Sequence, residues 1–82
     1  MQYSTHLLRH LRLTIGQNIN RLRVDKAMSQ PELARLSNVP ERRLKQYEIG
    51  KHKIELDSIC RIACVLDVRV QDLVAGSDTG IV

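Results

Sequence analysis

Apolar residues recur every three or four positions along most of the chain, from about residue 14 to residue 76. This spacing is typical of helices that bury one face, since three or four residues complete one helical turn. It predicts five helices, at about residues 15–26, 30–38, 40–49, 56–66 and 70–75.

The second and third predicted helices have clear start and stop signals. Ser29 and Glu32 form the pattern of a capping box, and Pro31 lies in the first turn, where its missing N–H costs nothing. Asn38 tolerates the left-handed conformation that a sharp turn requires, and Gly50 ends the third helix.

The first thirteen residues are ambiguous. Leu7, Leu8 and Leu11 fit a short helix, whereas Leu11 and Leu13 alternate with polar residues as in a strand. Either element could dock onto a second subunit. A disordered arm carrying basic residues could instead enter the minor groove of DNA. We therefore divide the chain into an N-terminal arm at 1–13, a helical domain at 14–76 and a flexible tail at 77–82.

Composition narrows the class of protein. With 82 residues, no Phe or Trp and a net charge of +4, the chain is expected to be one small all-α domain with an aliphatic core and a polyanionic partner. No apolar run reaches membrane-spanning length and no secretory signal is visible, which favours a cytoplasmic protein. The pairs Cys60–Cys64 and His6–His10 are weak metal signals, and no catalytic set is present. We expect no enzyme activity, no metal and no cofactor.

Two short helices joined by a tight turn predict a helix-turn-helix motif around residues 30–49. At 100° per residue, Leu44 and Tyr47 face inward, while Arg42 and Gln46 face outward. Arginine pairs with guanine and glutamine with adenine in the major groove. Residues 41–53 carry five basic and two acidic side chains, a net +3 of the chain's +4. The outward face of the third helix is therefore the predicted DNA-reading surface.

The chain resembles the lambda-repressor-like (Cro-type, xenobiotic-response-element) helix-turn-helix family. The resemblance covers about residues 15–75 and is carried by Gln30, Leu33, Ala34, Val39, Leu44, Tyr47, Glu48, Gly50, Leu56, Ile59, Ala63, Leu66 and Leu73. It implies a five-helix DNA-binding domain that acts as a homodimer on a palindromic operator, with the third helix in the major groove. It also implies that Gln30 contacts a phosphate and that Arg23 pairs with Glu48. The chain departs from the family pattern at Asn38, Pro40, Ile54, Glu55 and Arg69.

These observations predict a sequence-specific transcriptional regulator that acts as a repressor. The candidate DNA contacts are polar residues of the second and third helices and of the following loop: Gln30, Glu41, Arg42, Arg43, Lys45, Gln46, Lys51 and Lys53. Glu41 could instead act only as a favourable charge at a helix N-terminus. Two alternatives remain: an antitoxin or similar protein that binds a partner such as a toxin and regulates its own synthesis, and a helix-turn-helix that has lost DNA binding.

Overall fold

A computed structural model describes residues 5–76 of the chain, and within them five α-helices follow one another. They are α1 (Thr5–Asp25), α2 (Gln30–Ser37), α3 (Glu41–Glu48), α4 (Leu56–Leu66) and α5 (Val70–Val74). The all-α, five-helix architecture predicted from the sequence is confirmed. The tail predicted for residues 77–82 and the first four residues of the predicted arm lie outside the described residues.

The predicted start of the first helix at Ile15 is wrong. The helix α1 begins at Thr5, so residues 5–13 form its first half rather than a separate arm or strand. The leucines at 7, 8 and 11, which fit a short helix, continue the apolar face that reaches Ile15. Gly16 lies within α1, where it makes a close contact with the backbone of α3.

The core is aliphatic except for Tyr47, as the composition predicts. Its side chains come from all five helices: α3 packs against α1, α2 packs against α4, and α5 packs against α1 and α4. The buried apolar residues are Ile15, Ile19, Leu33, Ala34, Val39, Leu44, Tyr47, Ile59, Ile62, Ala63, Leu66 and Leu73.

The turn between α2 and α3 is held by local and long-range hydrogen bonds. Ser29 Oγ accepts from the backbone N–H of Glu32 at 3.2 Å and caps the start of α2. Asn38 adopts the left-handed conformation with φ 56°, as its residue type permits. From α4, Arg61 Nε donates to the carbonyl oxygen of Ser37 at 2.9 Å and satisfies a free end of α2. This hydrogen bond therefore fixes the turn between α2 and α3 to α4.

Candidate nucleic-acid interface

The helix α3 has one buried and one open face, as its periodicity predicts. Leu44 and Tyr47 are fully buried and Glu48 is 8% exposed. On the opposite side Arg42 is exposed, Gln46 is half-buried and Ile49 is exposed. Its polar side chains are therefore presented outward on a rigid element.

The outward side chains line an open groove of about 450 Å³. Arg42, Arg43 and Gln46 come from α3, while Pro40 precedes it and His52 follows it in the loop. The sequence reasoning singled out the first three and missed Pro40 and His52 as members of this surface. His52 lies between Lys51 and Lys53 in the sequence, and its place between two predicted DNA contacts is the signal that could have identified it.

Several predicted contacts already have protein partners. Lys45 Nζ lies 3.2 Å from Glu41 Oε2, so this exposed pair largely neutralises itself. Arg43 Nη1 lies 2.9 Å from Glu55 Oε1, which also accepts from the Tyr47 hydroxyl at 3.1 Å. Both pairs lie on the surface, where such contacts are weak enough to exchange for a phosphate.

Arg42 and Gln46 differ from these neighbours. Within residues 5–76 neither side chain makes a hydrogen bond or an ion pair with the protein. The two residues are four positions apart, which places them one turn apart on the same side of the helix. The groove therefore offers one cationic and one amide side chain free to bind an external partner.

A buried network ties α3 to α1. Arg23 Nε and Nη2 donate to the two carboxylate oxygens of Glu48 at 2.7 and 3.1 Å. Asn20 Nδ2 and Gln30 Nε2 each donate to Glu48 Oε1 at 3.0 Å, and Arg23 Nη1 donates to the carbonyl oxygen of Met28 at 2.8 Å. The pair that the resemblance implies is thus present and joined by two further amides.

Burial alone would raise the pKa of Glu48 by disfavouring its charged form. Hydrogen bonds from Arg23, Asn20 and Gln30, together with the arginine's charge, outweigh burial and hold the pKa of Glu48 below its ordinary value. Glu48 is therefore a stable anion at neutral pH, and it orients Gln30 at the start of α2.

A close approach between α1 and α3 also fixes the position of the reading face. A methyl group added at Gly16 would lie 2.7 Å from the carbonyl oxygen of Glu48 and closer still to that of Tyr47. Only glycine leaves room for the two backbones to lie this near each other.

The basic loop after α3 leaves that helix through Gly50, whose φ of 75° favours glycine. Lys51 and Lys53 follow and are exposed. Neither side chain has an ion pair within the part of the chain that the structure describes. Both lysines are sequence neighbours of His52, which lines the groove, and Lys53 also lines a second groove against α1.

The described part of the chain shows neither a metal site nor a membrane span. No group of three or more His, Cys, Asp or Glu residues within 5–76 could hold a metal ion, and Cys60 and Cys64 are exposed free thiols. None of the described helices combines the length and the apolar character that crossing a bilayer requires.

Three solved structures share this fold. The restriction-modification controller protein C.AhdI from Aeromonas hydrophila is 31% identical over 76% of this chain and 94% of its own, with a TM-score of 0.73. The hypothetical transcription factor NHTF from Neisseria is 28% identical over 87% of this chain and 82% of its own, with a TM-score of 0.78. The clp gene regulator ClgR from Corynebacterium glutamicum, at 24% identity over 87% of this chain and 76% of its own, shares the fold with a TM-score of 0.78. A comparison with curated protein sequences gives no significant match.

A family model described as helix-turn-helix matches residues 19–73, which include α2, the turn and α3. The family match and the likeness to these regulators support a DNA-binding transcriptional regulator. The chain belongs to the helix-turn-helix family of the lambda-repressor-like, Cro type.

Proposed function

We propose that this chain is a transcriptional repressor that binds a palindromic operator as a homodimer, with α3 in the major groove. The observation that carries this proposal is the outward pair Arg42 and Gln46. Both side chains line one groove on a rigid helix, and neither is engaged within residues 5–76. A bidentate guanine contact and a bidentate adenine contact require side chains of these two kinds.

The surrounding residues supply phosphate contacts that position α3. Lys51 and Lys53 are the sequence neighbours of His52, which lines the groove, and Arg43 can exchange Glu55 for a phosphate. The Gln30 amide donates one hydrogen to Glu48 and keeps a second for a phosphate. Lys45 and Glu41 are secondary contacts in this arrangement, because they first have to leave each other.

The proposal requires two copies of the chain. Two α3 helices on one face of the duplex would lie about 34 Å apart, one turn of DNA. We assign the dimer contact to the first half of α1, where Leu7 and Leu8 are 43% and 40% exposed. Leu8 also lines a mostly apolar groove of about 190 Å³ with Leu11, Arg12, Ile15, Lys53 and Ile54, and a leucine from a second copy would fill its apolar part. A dimer bound across a promoter represses by excluding polymerase and needs no further activity.

Fluorescence anisotropy with a labelled duplex from the region upstream of the protein's own reading frame tests this function. Selective binding over a scrambled duplex at about 50 and 200 mM salt is the expected result. If the dimer neutralises about six to eight phosphates, log K against log salt should have a slope of about −5 to −7.

Arg42→Ala should cost about 1–3 kcal/mol of discrimination between the two duplexes. The matched control is Arg69→Ala, which removes the same charge at the turn before α5 and should keep the discrimination. Equal and salt-abolished binding to both duplexes would contradict the proposal. Co-purification of an unrelated protein chain would favour an antitoxin-like role instead.

A further inference from the structure

We propose that His52 is a further DNA contact and that it takes up a proton when DNA binds, its Nε2–H donating to a phosphate. This inference rests on the proposed function, since it concerns the same interface. His52 lines the groove together with Arg42 and Gln46.

The imidazole ring of His52 packs against the buried side chain of Tyr47. The rings of Tyr47 and His52 meet edge to face, with centroids 5.9 Å apart and planes at 77°. Tyr47 is fully buried, and its hydroxyl donates to Glu55 Oε1. A side chain that packs against a fully buried core residue has a defined position in the groove.

The hydrogen bond at the other side of the ring sets its tautomer. His52 Nδ1 lies 2.8 Å from the carbonyl oxygen of Lys53. A carbonyl oxygen only accepts, so Nδ1 carries a hydrogen and Nε2 is the atom that gains or loses a proton. Every buried side-chain nitrogen and oxygen within the described residues has a partner, and Nε2 has none there. Nε2 is therefore open to solvent, on a ring that borders the groove.

The charges around the ring are mostly positive. Arg42 and Arg43 face it from α3, with Tyr47 beneath it, and Lys51 and Lys53 flank it in the loop. The carboxylate of this region, Glu55, is engaged by Arg43 and Tyr47. No carboxylate is thus free to bind the imidazolium within this surface, and the anion that suits Nε2–H must come from outside.

DNA supplies that anion. A bare Nε2 lone pair repels a phosphate oxygen, whereas a protonated Nε2 makes a charge-assisted hydrogen bond to it. Phosphates within reach of the ring favour its charged form, so protonation and DNA binding strengthen each other by the same factor. A neutral His52 that accepted from a base amino group would give the opposite dependence on pH.

The test is the pH dependence of DNA affinity, measured by anisotropy on the same labelled duplex at constant salt from about pH 6 to 8.5. We expect the wild-type Kd to fall as the pH falls, by at most about tenfold per pH unit for each protomer. His52→Gln should bind selectively with a flatter profile. The control Arg69→Ala, at the turn before α5, should keep the wild-type profile.

A second measurement needs no variant. The Hε1 resonance of His52 in the NMR spectrum reports ring protonation, and at constant pH it should move towards its protonated position when the duplex is added. Selective binding with a flat profile, or tighter binding at higher pH, would overturn this inference and leave the proposed function intact. Loss of all selectivity at every pH would instead overturn the proposed function, and the inference with it.

Discussion

Arg23 and Glu48 join the end of α1 to the end of α3 through two parallel hydrogen bonds of 2.7 and 3.1 Å. The side chains are 12% and 3% exposed, so the pair is shielded from water. A planar guanidinium bound through two nitrogens fixes direction as well as distance. Because Glu48 also binds Gln30, one carboxylate sets the relative positions of the groove on α3 and the first residue of α2.

Removing the charge of Glu48 should destabilise the fold. Glu48→Gln leaves Arg23 buried without its anion, and we expect the free energy of unfolding to fall by about 3 kcal/mol at pH 7 in urea titrations. The control Glu32→Gln, at an exposed position where glutamine is equally suited to the cap, should change it by less than about 0.5 kcal/mol.

The pH dependence of stability follows from the lowered pKa of Glu48. Its folded-state pKa lies below the ordinary value of 4.5, so its contribution is complete above about that pH and is lost as the pH falls through the folded value. Wild-type stability should therefore decline below pH 4.5, and Glu48→Gln should lack this part of the decline. If the free energy of unfolding changed with pH by the same amount in both proteins, this effect could not be assigned to Glu48.

Gly16→Ala should disturb both the core and DNA binding. The added methyl group meets the backbone of α3 at Tyr47 and Glu48, which cannot move without displacing the groove. We expect a loss of about 2 kcal/mol or more in urea unfolding and weaker selective binding by anisotropy. Gln17→Ala, at the exposed neighbouring position, should leave both measurements close to wild type. Unchanged stability of Gly16→Ala would show that α1 and α3 are farther apart than described.

Ala27→Gly should stabilise the protein. Ala27 has a φ of 55° in the turn after α1, a backbone conformation that is strained for residues with a Cβ atom. We expect the free energy of unfolding to rise by about 0.5–1 kcal/mol. The same change at Ala75, whose φ is −62°, should give no gain. Equal effects at both positions would argue against strain at Ala27.

The assigned dimer contact predicts that Leu8→Glu yields a monomer. A buried carboxylate would oppose the apolar contact between two copies, while Leu8 is exposed enough in one copy for the fold to persist. Sedimentation equilibrium should give the mass of a dimer for wild type and half that mass for the variant. Val24→Glu, at an exposed valine near the other end of α1, should remain dimeric. A dimer that survives Leu8→Glu would place the contact elsewhere.

Most helix boundaries could be predicted because their signals are local. Ser29 caps α2 through its side chain, and Asn38 permits the left-handed turn. Gly50, which has no side chain, allows the chain to turn away after α3. The start of α1 could not be predicted in this way. Leu7, Leu8 and Leu11 fit a helix, whereas Leu11 and Leu13 alternate with polar residues as in a strand, so the local pattern leaves both structures open.

The candidate site likewise contains some residues that the sequence predicts and others that it does not. The open face of α3 follows from the helical period, which places Arg42 and Gln46 opposite the core. The engagement of Arg43 by Glu55 and the place of His52 depend on how the loop folds back onto Tyr47. Such contacts between loop and helix have no periodic signature, so the sequence alone did not reveal them.

In the proposed function, α3 reads bases through Gln46 in two symmetric half-sites. Selection of bound duplexes from a randomised pool, with wild type and Gln46→Ala side by side, tests it most directly. We predict that wild type enriches an inverted repeat with half-site centres about 10 base pairs apart, and that Gln46→Ala loses the preference at one position in each half. The same enriched sequence with both proteins, or no enrichment with wild type, would contradict the claim.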